Sequence, residues 1–161
     1  MTMQELRGLN ANARLGPCPL VAHAITAEFR SATEDVDDEE REYLALMLAA
    51  QESLCMIATT NGEPCRVVVS ADVDDEFVSA RSGAATAVEV SVEISLRQCS
   101  SVHVDDDAAK TAVSAAATSM ARSMVSSDTP HGDFASMVSA VDLDDHELLW
   151  FATQEIPDLL S

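Results

Sequence analysis

The sequence predicts an α+β fold in two layers, a mostly antiparallel sheet of three to five strands with long helices packed on one face. Two segments, residues 66–73 and 88–96, alternate apolar and polar side chains with period two, as strands with one wet face do. Two others carry apolar residues at helical spacing, one over residues 37–58 and one beginning after Asp105. A length of 161 residues is enough to bury a self-sufficient core, so residues 1–161 are expected to form a single domain.

Taken in order, residues 3–15 read as a short helix with Leu6, Leu9 and Ala13 on one side, ended by Gly16 and Pro17. Residues 20–26 are apolar enough for a buried strand, and Thr26 caps a short helix over 27–32. The clearest helix follows. Asp37 and Glu40 have the spacing of an N-cap and its third residue, and Asp38 and Glu39 set negative charge at the positive end of the helix dipole. Tyr43, Met47, Ala50, Leu54 and Ile57 then form its apolar stripe, widened by Leu44, Leu48 and Cys55. Asn61-Gly62 supplies a turn.

In the first alternating segment Val67, Val69, Ala71 and Val73 share a face, with Arg66, Ser70 and Asp72 opposite and Val68 the exception. In the second, Val88, Val90, Val92, Ile94 and Leu96 face one way, while Glu89, Ser91, Glu93 and Ser95 face the other. Residues 79–87, rich in Ser, Ala and Gly, are expected to be a loop between them. Residues 101–105 repeat the strand pattern, with Val102 and Val104 inward and His103 outward. The second long helix opens on Asp106 and Asp107 and carries Ala109, Val113, Ala116, Met120 and Met124 on one face. Pro130 and Gly132 mark residues 126–133 as a connection. A short helical piece over 134–141 and a last helix over 144–156, stopped by Pro157, complete the chain.

Composition excludes several function classes. A formal net charge of −19 repels a phosphate backbone and an anionic membrane surface, so neither nucleic acid nor membrane is expected as a partner. The longest unbroken apolar run, residues 43–50, is far short of the roughly 20 residues of a membrane span. No apolar stretch follows the first residues as in a secretory signal, so a cytoplasmic location is expected. Cys18, Cys55, Cys65 and Cys99 include no C-x-x-C pair and are expected to be reduced structural thiols.

Three stretches taken together, RVVVSADV, SSVHVDD before an alanine-rich helix, and the C-terminal HELLWFATQEIPDLL, resemble an uncharacterised family of small acidic actinobacterial proteins of unknown function. The resemblance covers most of the chain from about residue 20 onward. It supports the fold and implies no catalytic residue, since the family carries no assigned activity.

Two clusters bear chemistry. In an extended segment His103 and Asp105 project from one face about 6 to 7 Å apart, within reach of one divalent ion. The competing role for Asp105 and the aspartates after it is to cap the following helix. The second cluster is Asp142, Asp144, Asp145, His146 and Glu147, in which Asp144 and Glu147 have capping-box spacing and His146 stands four residues before Trp150. If the two clusters converged, His103, Asp105, His146 and Asp142 would make a mixed site suited to zinc or manganese. The acid run over residues 34–42 reads as a solvated helix start, and His23 as a hydrogen-bonded strand histidine. No G-x-S-x-G elbow and no G-x-G phosphate turn occurs, so no cofactor is expected. Trp150 and Phe151 are aromatic anchors that either seal the core or mark a partner surface. The leading expectation is a non-enzymatic interaction protein, forming a homodimer or binding another protein through the wet sheet face or residues 148–160. The alternative is a divalent-metal-dependent hydrolase built on His103, Asp105 and the 142–147 cluster.

Overall fold

In the computed structural model, which describes residues 1–81, 85–126, 143 and 146–161, the chain is α+β with every strand pair antiparallel. The strands divide among three small sheets. Helix α1 (Met3–Asn12) leads into β1 (Arg14–Leu15) and β2 (Leu20–His23), followed by α2 (Ala27–Ala32) and α3 (Asp38–Thr60). Next come β3 (Val67–Ala71), β4 (Val78–Ala80), β5 (Ala87–Val90), β6 (Ile94–Ser95) and β7 (Cys99–Val104). The described chain ends with α4 (Lys110–Ser126), β8 (Leu149–Ala152) and α5 (Ile156–Leu159). β1 pairs with β6, β5 lies between β2 and β4, and β7 lies between β3 and β8.

Helix starts follow local chemistry. The Thr2 hydroxyl accepts from the Glu5 N–H at 3.3 Å while the Glu5 carboxylate accepts from the Thr2 N–H at 2.7 Å, which satisfies two of the free donors at the start of α1. Thr26 accepts from the Phe29 N–H at the start of α2, and Asp37 from the Glu40 N–H at the start of α3. Arg30 and Arg41 both reach the Asp38 carboxylate, at 2.7 and 2.9 Å, tying α2 to α3.

Two clusters form the core. In one, Met3, Leu6 and Leu9 of α1 and Ile156 of α5 pack with Val67, Val102 and Val104 of the third sheet and with Val90 and Ile94. In the other, Leu54 and Ile57 of α3 meet Ala109, Val113, Ala116, Ala117 and Met120, with Leu143 beside them. Small side chains thus make up much of the α4 side of this contact. By length and mean hydropathy, 1.3 over its most apolar window, α3 would suffice to cross a bilayer. Here its C-terminal half is packed in the second cluster, while Tyr43 and Leu44, expected in the buried stripe, are exposed.

Several boundaries differ from the sequence reading. α1 stops at Asn12 because Ala13 turns left-handed (φ 53°), and Arg14 and Leu15 pair with β6 instead of continuing the helix. The segment read as one strand over 88–96 is broken at residues 91–93, and its two parts join different sheets. Residues 78–80, the last two of them expected in a loop, form β4, because main-chain pairing with β5 does not depend on large side chains. The largest departure is at the C-terminus. Residues 149–152, expected inside a helix, add to β7 as a strand, and Pro157 sits in the first turn of α5 instead of stopping a helix. Proline lacks only an N–H that a first turn leaves unpaired. The expected helix over 134–141 and the connection over 126–133, apart from Ser126 at the end of α4, lie outside the described residues, as do Asp142, Asp144 and Asp145.

Candidate functional site

The chemistry-bearing residues gather around the third sheet. Its register sets Val68, His103 and Trp150 in one row across the strands, with Ser70, Ser101 and Ala152 in the next row on that face. The opposite face carries Val67, Val104 and Leu149, then Val69, Val102 and Phe151. Val67, Val102 and Val104 are core residues, and Phe151 is packed against them. The face expected to be wet is only partly so, since Val68 and Ser101 are buried.

Asp105 does not cap the following helix. It lies just past β7, and its carboxylate is taken up by Arg66, whose side chain is 3% exposed against 0% for Asp105. Arg66 Nη2 donates to Oδ1 at 2.7 Å, Nε donates to both oxygens at 3.0 and 3.1 Å, and the Arg66 main-chain N–H donates to Oδ2 at 2.7 Å. A forked guanidinium on a carboxylate is the strong form of this contact, and burial makes each partner necessary to the other. The cap of the next helical turn is Asp106, which accepts from the Ala109 N–H at 2.9 Å. Period two assigned Arg66 to the wet face. The structure buries it instead, because a partner 39 residues away neutralises it.

The two sequence clusters meet through main chain. Arg66 Nη2 also donates to the carbonyl of His146 at 2.8 Å, which brings the start of the C-terminal segment to the Arg66–Asp105 corner. The imidazole of His103 is held by Ser101, at 3.1 Å, and half-burial lowers its pKa. His146 is not in a helix, so the four-residue spacing to Trp150 does not stack the two rings along a helix face. Glu147 likewise starts no helix, so the capping box read with Asp144 has no helix to cap. Among the described residues no group of three or more His, Cys, Asp or Glu side chains is placed to hold a metal ion.

Other polar features are structural. Ser53, fully buried in α3, donates to the Met1 carbonyl at 2.6 Å and accepts from the Val67 N–H at 3.0 Å, fastening α3 to the outer edge of β3. Met1's amino group donates to the Val67 carbonyl at 2.9 Å. No sequence pattern marks Ser53, since a serine at a core position of an apolar stripe reads as an interruption. His23 pairs through Nδ1 with the Thr86 hydroxyl at 2.9 Å, and its buried Nε2 has no hydrogen-bond partner among the described residues. Burial lowers the His23 pKa despite Glu52 nearby. All four cysteines are free thiols. Burial, reinforced by the Asp105 charge, pushes Cys65 up to about 11, so it is protonated and inert at neutral pH. An open groove of about 640 Å³ between the C-terminal part of α3 and α4 is lined by Ile57, Asn61, Pro64, Ala117, Thr118 and Arg122 among others, with no carboxylate, imidazole or thiol among the described residues.

The large exposed apolar side chains include two on β8, Leu149 at 47% and Trp150 at 61%. Trp150 therefore does not seal the core, whereas its neighbour Phe151 does pack against it. β8 pairs with β7 on one side, and among the described residues no strand pairs with its other side.

Fold and site together define an acidic α+β protein with a buried ion-pair corner and an apolar strand edge. The family model described as "Family of unknown function (DUF6912)" matches residues 1–160, and the chain belongs to that family. No curated protein matches the chain, and no solved structure matches it.

Proposed function

We propose that this protein is a non-enzymatic protein–protein interaction module whose contact surface is the β8 edge with Leu149 and Trp150. The observation that carries this reading is the 61% exposure of Trp150 on a strand whose outer side has no described partner. Tryptophan is the side chain most costly to leave in water without purpose and among those most enriched at binding hot spots. Engagement of the Asp105 carboxylate by three Arg66 nitrogens supports this reading over a metal-dependent hydrolase.

Affinity capture from a native lysate with the wild-type protein and with Trp150→Thr and Leu149→Thr tests the reading. A binder retained by the wild type and clearly depleted with both variants, at unchanged melting temperature, is expected. Identical retention by all three proteins would assign contact to another surface.

A further inference from the structure

Resting on the reading of β8 as the contact surface, we infer that its outer edge, which pairs with no described strand, receives an extended, basic-flanked segment of a partner protein as an added β-strand. Main-chain geometry supplies the first support. Val67 turns its N–H and carbonyl away from β7, toward Ser53 and Met1, so the alternation of an antiparallel ladder makes Val68 and His103 the hydrogen-bonded pair. Val102 and Val104 then bond to Phe151 and Leu149, and the main-chain N–H and carbonyl of Trp150 point outward from the sheet. The next outward N–H, that of Ala152, is already taken by the Glu155 carboxylate at 2.8 Å. The available register is thus centred on Trp150.

The strand itself, Leu-Trp-Phe-Ala, has none of the lysines, prolines or bulges that guard solvent-facing edges. Charge identifies the occupant. The flanking charges are all acidic, Glu147 before the strand and Glu155 and Asp158 after it, and no lysine or arginine follows Arg122 in the sequence. A second copy pairing antiparallel here would bring Glu147 of one chain toward Glu155 of the other, on molecules that each carry a net charge of −19. A segment with an alternating apolar centre and lysine or arginine at both ends meets the same edge with opposite charge, and strand addition supplies its affinity through main-chain bonds.

The test uses the full chain and a fluorescein-labelled nine-residue peptide with an alternating valine–tyrosine centre and two lysines at each end. Its counterpart has glutamates in place of the lysines. Fluorescence anisotropy is expected to show saturable binding of the lysine peptide, weakened at least about tenfold when salt rises from about 50 to about 300 mM. The glutamate peptide should bind at least about tenfold more weakly. Hydrogen exchange at the Trp150 main-chain amide should slow on saturation. Trp150→Pro removes that outward N–H at a position where an edge strand tolerates proline, and it should abolish binding. Trp150→Thr, which keeps the N–H, guards against a folding defect and should weaken binding only several-fold.

Equal binding of the two peptides, or unchanged Trp150 exchange at saturation, would overturn the proposal. So would light scattering that shows a dimer sensitive to Trp150→Pro, because the occupant would then be a second copy. If neither peptide binds while Trp150→Thr still loses the captured partner, strand addition is wrong and the contact surface stands. If that variant also retains the partner, both fail.

Discussion

The third sheet has two edges, and they are finished in opposite ways. At β3 the outward groups of Val67 are consumed by the Ser53 hydroxyl and the Met1 amino group, and one residue earlier Arg66 is locked to Asp105. At β8 the outward groups of Trp150 meet no described strand, and the largest side chain in the protein stands 61% exposed. Hydropathy alone would bury the tryptophan and expose the arginine. The inversion separates the two edges: one is fastened by buried polar contacts, and the other pairs with no described strand. A buried ion pair adds little net stability over a well-packed apolar pair, but it ties β3, β7 and the His146 carbonyl into one arrangement.

The comparison breaks most visibly at the guarded corner. Asp105→Ala leaves a buried guanidinium without its counter-charge, and urea unfolding is expected to show a loss of about 3 to 5 kcal/mol. Replacing both partners with apolar residues, Arg66→Met with Asp105→Leu, should recover much of that loss. If the double variant is less stable than Asp105→Ala, the corner does more than neutralise itself. Ser53→Ala orphans the buried Val67 N–H and should cost about 1 to 3 kcal/mol by the same measurement.

Asp106→Ala removes only a helix cap and is expected to lose about 1 kcal/mol, so adjacent aspartates should differ several-fold in cost. Equal losses at 105 and 106 would return Asp105 to a capping role. A smaller effect is expected from pH. Burial lowers the pKa of both His23 and His103 below the unfolded value of 6.5, so the unfolded chain takes up protons first as pH falls. Stability should therefore decline as pH drops from about 6.5 toward the folded-state values, and be regained above it. Melting temperatures at pH 7.5 and 5.5 should differ less for His23→Gln than for the wild type.

The smallest effect belongs to the β8 edge, where Trp150→Thr should leave stability within about 0.5 kcal/mol while weakening the contact described above several-fold. A large loss of stability in this variant would place the ring among structural residues and erase the difference between the two edges.

Short-range features were legible in the sequence. Thr26 and Asp37 were readable as caps, because each bonds an N–H three residues ahead and nothing distant is needed. The period-two segments around Val67, Val88 and Val102 were readable as strands, and the inward residues Val67, Val88, Val90, Val102 and Val104 are buried. The apolar face of α4 was readable from Val113 to Met120 for the same reason. Not legible were the partner of each strand, the break of one alternating run between two sheets, and the destination of Asp105. A pattern of inward and outward side chains is the same whichever neighbour a strand takes.

The sequence by itself determined the α+β class, the starts of α2 and α3, and the inward faces of the strands, since these depend on hydrogen bonds and side-chain periodicities spanning a few residues. Only the tertiary structure decided that Arg66 lies inside and Trp150 outside. A charge can be buried when its counter-charge, 39 residues away, arrives at the same corner. Likewise, residues 149–152 become strand because β7 offers an edge for them to pair with. Both outcomes rest on contacts between residues far apart in the chain, which local pattern does not encode.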